Sequence, residues 1–239
     1  TILKLINQNV RTKHEVRGDL MAQYAAANIA ERRVADLLLR LDRHEMVRYM
    51  REILDHADRC MRAGIRDLPD GTYRFDDYLD DDGVTDDPVK IAVAVTIRAD
   101  TLKADFTGTS KQVLGPLNAR ISAARACVYY VCKAVIDPDL PTSAGAYRPI
   151  EVFAPEGTLL QATYPAAIGN ANILTDQRVV DVLLGAFYQC VPEQVCAACS
   201  GEMNLLNIGG IDSRAGPRQG EYYNYVETYA GGQGACHDL

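Results

Sequence analysis

The strictest constraint in this 239-residue chain is an alternation. Ile91, Val93, Val95 and Ile97 are apolar, while Ala92, Ala94, Thr96 and Arg98 between them are small or polar. A period of two puts one set of side chains on each face of a strand, so this segment must lie half-buried in a sheet. Ala99-Asp100 is a tight turn, and Leu102, Ala104 and Phe106 repeat the pattern after it. With Thr72 to Leu79 ahead of them, these segments predict a three-stranded antiparallel meander with one solvated face.

The meander runs into Ala104-Asp105-Phe106-Thr107-Gly108-Thr109-Ser110. A polar, glycine-centred turn between a strand and a helix is a place where N–H groups and hydroxyls collect beside ligands. Thr107 to Lys111 is not a nucleotide P-loop, since Lys111 follows Ser110 and the preceding glycine is missing. Gly115, Pro116 and Asn118 break the chain before a helix over Ile121–Ile136, which is apolar on most sides and therefore buried.

Before the meander, three- and four-residue spacing predicts helix from His14 to about Arg66. A break at Leu41–Arg43 and an end at Gly64 leave two helices or one bent helix. After the central helix come a loop to Pro149 and short strands over Ile150–Phe153 and Thr158–Ala162, around the turn Pro155-Glu156-Gly157. A polar loop through Asn170 and Asn172 leads to a helix from about Thr175, its expected N-cap, to Cys190. Two more strands follow, at Met203–Ile208 and Tyr222–Thr228. The fold class is α+β: an N-terminal long helix pair, an antiparallel β-meander, then mixed helices and strands. We expect a helical pair over 1–67 and an α+β body over 68–239.

Several function classes find no support. The net charge is −7, with no basic stripe for nucleic acid and no apolar run of membrane-spanning length. Seven cysteines, several inside apolar helical patterns, suit a reducing, cytoplasmic setting. Cys196-Ala197-Ala198-Cys199 is a lone CxxC whose further partners would be Cys236 and His237, and its spacing is not diagnostic of zinc. The aspartates from Asp76 to Asp87 do not follow a calcium-loop pattern and read as a solvated hairpin tip. No metal site is therefore assigned within these residues. His237 with Asp238 is the candidate catalytic pair, either a base and the group that orients it or two metal ligands.

Eight stretches in order resemble the hydantoinase B/oxoprolinase family, the HyuB-like subunits of ATP-dependent hydantoinases, 5-oxoprolinases and related ketone carboxylases. They are Gly18-Asp19-Leu20-Met21-Ala22-Gln23, Leu68-Pro69-Asp70-Gly71-Thr72-Tyr73, Asp105 to Ser110, Gly115-Pro116-Leu117-Asn118, Gly145-Ala146-Tyr147-Arg148-Pro149-Ile150, Ala154-Pro155-Glu156-Gly157, Tyr164-Pro165-Ala166-Ala167 and Gly231-Gly232-Gln233-Gly234-Ala235. The resemblance implies a central fragment of a longer subunit in a hetero-oligomer. A HyuA-like partner subunit binds ATP and Mg²⁺ and phosphorylates a small-molecule substrate. A divalent metal, Zn or Mn, belongs to a preceding part without a counterpart here. The implied reaction is opening of a cyclic amide or imide, such as hydantoin, 5-oxoproline or a lactam. The alternatives are ATP-dependent carboxylation of a ketone of the acetone or acetophenone type and, in another class, an assembly scaffold that binds through its helix faces at Leu37 and Leu38. Oxyanion binding needs neutral donors and a cation. Thr107, Thr109, Ser110, Asn118, Arg148, Asn170 and Asn172 are the candidate substrate-binding residues.

Overall fold

The computed structural model describes residues 2–10, 12–217 and 219–236. The chain divides into two compact units, 1–53 and Leu54–Leu239. The first holds α1 (Ile2–Gln8), α2 (Lys13–Leu38) and the start of α3 (Arg43–Arg66). The break before α3 is made by Asp42, whose Oδ1 accepts the N–H groups of His44 at 2.7 Å and Glu45 at 2.9 Å. The Asp42 N–H donates in return to Glu45 Oε2 at 3.4 Å. This reciprocal cap fixes two separate helices where the sequence left one bent helix open. Met21, Tyr24, Ile29, Val34, Leu37 and Leu38 lie exposed along α2.

The second unit is built on a four-stranded sheet in the order β1 (Gly71–Leu79), β2 (Val89–Arg98), β3 (Thr101–Asp105), β4 (Ile150–Phe153). The first three form the expected antiparallel meander, with Val95 opposite Tyr73 on one side and Ala104 on the other. β4 adds to β3 in parallel, with Leu102 opposite Ile150 and Asp105 opposite Phe153. That pairing corrects the expected hairpin after Ile150. A parallel partner needs a long crossover, and it is supplied through α4 (Ile121–Ile136). Thr158–Ala162 is not a strand and makes only an isolated bridge from Thr158 to Lys111.

α5 (Thr175–Tyr188) packs on β1 and β2, and α4 packs on α5 and β4. Between them lies the core of Ile91, Val95, Ile97, Leu102 and Phe106 from the sheet side, with Val128, Leu183 and Phe187 from the helices, all at most 2% exposed. Thr175 is not the N-cap of α5. Leu174 holds that position without a side-chain cap, and the buried Thr175 hydroxyl donates to the Leu117 carbonyl at 2.6 Å. Gly64 does not end α3 either. It lies within the helix, where a Cβ would stand 2.3 Å from Ile136 Cγ2, so the close approach of α4 accounts for the glycine. β5 (Met203–Ile211) and β6 (Tyr222–Ala230) form a separate antiparallel hairpin that leaves Leu205, Ile208, Tyr225 and Tyr229 exposed. Among the described residues, no helix is long and apolar enough to cross a membrane.

Candidate functional site

The face of the sheet opposite the helical core carries the polar half of the alternation. Register sets its side chains in rows: Thr72, Thr96, Lys103 and Glu151 share one row, and Arg74, Ala94 and Asp105 the next. Arg98 and Thr101 make a third. Thr72 and Thr96 are joined through their hydroxyls at 3.1 Å. Lys103 Nζ sits 3.6 Å from Asp105 and 3.5 Å from Glu151. This face floors a concavity of about 1090 Å³. Arg62 of α3, Arg125 and Tyr129 of α4, and Arg148 also line it.

Six of the lining residues are cations, Arg62, Arg74, Arg98, Lys103, Arg125 and Arg148, against the two carboxylates Asp105 and Glu151. The lining is thus net positive on a chain whose net charge is −7. Some of the charge is compensated. Arg62 pairs with Asp58 at 2.9 Å and Asp100 at 3.4 Å, and Arg148 with Asp55 at 2.6 Å. Arg74, Arg98 and Arg125 have no ion pair among the described residues. Burial pushes the Asp105 carboxyl upward, but the Thr107 hydroxyl at 2.6 Å, the Thr107 N–H at 3.0 Å and Lys103 outweigh it and hold its pKa below the usual value. Asp105 is thus a fixed anion that orients Thr107 and Lys103.

Of the seven candidate binding residues, Thr107 and Arg148 line this concavity. Three others tie the chain to itself. The buried Thr109 hydroxyl accepts the Ala92 N–H and donates to the Ala92 carbonyl, both at 3.2 Å. It takes over from the backbone of β3, which leaves the sheet at a turn where Gly108 has φ +101°. Ser110 Oγ accepts the Lys90 N–H at 2.9 Å. Asn118 is fully buried. Its amide accepts from the Val113 N–H and donates to the carbonyls of Val113, Gly115 and Ala167. Asn170 and Asn172 are exposed on the loop before α5 and do not line the concavity. His237 and Asp238 lie outside the described residues.

Sequence reasoning missed the remaining arginines of this face. Arg74 and Arg98 stand at polar positions of the alternation, which was the available signal. The acidic run is exposed, as a solvated tip should be, at Asp76, Asp80, Asp81, Asp86 and Asp87, and departs from that expectation at Asp82. Asp82 is only 3% exposed and accepts the N–H groups of Thr85, Val84 and Gly115. Cys199 Sγ donates to Asp181 at 3.4 Å and accepts the Gly201 N–H at 3.2 Å. No cluster with metal-binding geometry occurs among the described residues.

Comparison with known proteins covers the same elements. The model of the hydantoinase B/oxoprolinase family matches residues 1–239. A protein of Methanocaldococcus jannaschii is 36% identical over 98% of the chain, and the chain spans 39% of that relative. The caprolactamase subunit beta of Pseudomonas jessenii is 32% identical over 89% of the chain, which spans 36% of it. The 5-oxoprolinase of Saccharomyces cerevisiae is 30% identical over 92% of the chain, which spans 17% of it. The crystal structure of ATP-dependent caprolactamase from Pseudomonas jessenii superposes with a TM-score of 0.80 at 30% identity, over 88% of this chain and 36% of that one. Nucleotide-free acetone carboxylase has the same fold, with a TM-score of 0.80 at 17% identity over 93% of this chain and 31% of that one.

Proposed function

We propose, from the premise that this chain belongs to the hydantoinase B/oxoprolinase family, that it is part of the acceptor half of an ATP-dependent enzyme that opens cyclic amides or imides. The observation that carries the reading is the likeness to caprolactamase, in sequence to its beta subunit and in structure at a TM-score of 0.80. In this reading a HyuA-like partner holds ATP and Mg²⁺ and phosphorylates the amide oxygen. A Zn or Mn ion belongs to a part of the polypeptide outside these residues, and the assembly is a cytoplasmic hetero-oligomer. Exposed apolar side chains along α2 and the β5–β6 hairpin support a chain that is covered within a larger assembly.

Phosphorylation turns the amide oxygen into a leaving group but adds negative charge that the acceptor half must hold. The cationic sheet face offers guanidinium groups for that role, with the hydroxyl that accepts in the Thr72–Thr96 pair able to donate as a neutral group. The test is an assay of the native complex with ATP, with and without bicarbonate, on a hydantoin, a lactam and a ketone. Ring opening that needs ATP and ignores bicarbonate is the expected result. Bicarbonate-dependent consumption of the ketone, with the rings untouched, would replace this reading with the carboxylase one.

A further inference from the structure

We infer that the cationic concavity over the open sheet face is a binding site for a phosphoryl group carried on a small molecule. Three observations point there together. Arg74, Arg98 and Arg125 come from β1, β2 and α4, yet all line one space. None has an ion pair among the described residues, whereas Arg62 has two and Arg148 one. All three are exposed to solvent, and gathering them around one concavity concentrates positive potential where a small anion can enter. The volume, about 1090 Å³, suits a small molecule.

The charge selects the class of anion. A carboxylate brings one negative charge, which one paired arginine satisfies. A phosphoryl group brings nearly two, with three non-bridging oxygens for separate guanidinium forks. Thr72 and Thr96 are bonded to each other at 3.1 Å, and the hydroxyl that accepts in that pair can donate to an anion on the floor. Lys103 is held by Asp105 and Glu151 and supplies background charge. The identification of the ligand as the phosphorylated substrate rests on the proposed function; the anion site itself rests on this geometry.

The test measures binding of inorganic phosphate by calorimetry to the native complex in excess ADP, which fills nucleotide sites, with acetate as the comparison anion. Phosphate is expected to bind at least ~10-fold more tightly than acetate. Arg98→Gln and Arg125→Gln, on separate elements, should each weaken phosphate about tenfold, the scale of one charge-assisted contact. Arg66→Gln, whose side chain pairs with Asp100 and does not line the space, should leave it unchanged. Phosphate affinity indifferent to both lining variants, or equal to that of acetate, would overturn the inference. So would variants that break subunit assembly while phosphate still binds, since the face would then be a protein contact. Phosphate binding that follows this pattern in a complex without ATP-dependent ring opening would remove the proposed function and leave the site standing.

Discussion

Asp82 and Gly115 are joined across 33 positions of chain: the Gly115 N–H donates to Asp82 Oδ2 at 2.9 Å. The same residues meet a second time, because a Cβ on Gly115 would stand 1.7 Å from the Asp82 carbonyl oxygen. Backbone cannot give way as a side-chain tip can, so Gly115→Ala must move one loop off the other. We expect it to cost more than ~3 kcal/mol, measured by urea denaturation. A loss below ~1 kcal/mol would show that the two loops are not held together.

The Asp82 carboxylate also sets an acid limit. The N–H groups of Thr85, Gly115 and Val84 hold its pKa down to about 2 from an ordinary 3.8, against the opposing effect of burial. A depressed folded-state pKa contributes stability above the unfolded value, and that contribution is lost as pH falls through the folded one. Stability should therefore drop between about pH 4 and pH 2, and Asp82→Asn should flatten that limb. Thermal midpoints taken across the window check it.

Asp176 acts in the opposite direction. Burial raises its carboxyl to about 6 from an ordinary 3.8, and its Oδ1 is buried without a hydrogen-bond partner among the described residues. The native state then holds a proton that the unfolded chain has released. Stability falls as pH rises from about 4 through about 6, and the full penalty is present above that. Asp176→Asn should stabilise the protein by ~1 kcal/mol at pH 8, after discounting for the solvent that still reaches the group, and by nothing at pH 4. Equal effects at both values would refute the assignment.

Asn118 and Arg148 separate a structural role from a binding one. Asn118→Ala leaves the Val113 N–H and the carbonyls of Val113, Gly115 and Ala167 without the partners that they have now. It should cost ~3 kcal/mol or more, while turnover per folded molecule stays within about twofold of the parent. Arg148→Ala breaks an exposed pair with Asp55 and should change stability by less than ~0.5 kcal/mol, while kcat/KM for the cyclic amide falls about tenfold or more. Reversal of that pattern would exchange their roles.

Much of this was legible in the chain itself. The alternation from Ile91 to Ile97 specified both the strand and the inward face, and the apolar run from Ile121 marked a helix with its bounds, although only one of its faces is buried and Tyr130 is exposed. What escaped was long-range. β4 is four residues long, and nothing local distinguishes a parallel partner of β3 from half of a hairpin. Thr109, Ser110 and Asn118 have the residue chemistry of ligand donors, and only tertiary placement shows their polar atoms bonded to Ala92, Lys90 and the Val113–Gly115 turn. The arginines of the open face were hidden for a related reason. They are far apart in sequence, on β1, β2 and α4, and only sheet register and the crossover to β4 bring them together.

The most direct measurement follows ATP cleavage and ring opening together in the native complex, for the parent and for Arg98→Gln. The account predicts equal amounts of the two in the parent without bicarbonate. In Arg98→Gln it predicts continued ATP cleavage with ring opening reduced at least ~10-fold, because the variant harms the acceptor half and spares phosphorylation. Ring opening that proceeds without ATP, or that is unchanged in Arg98→Gln, would contradict it.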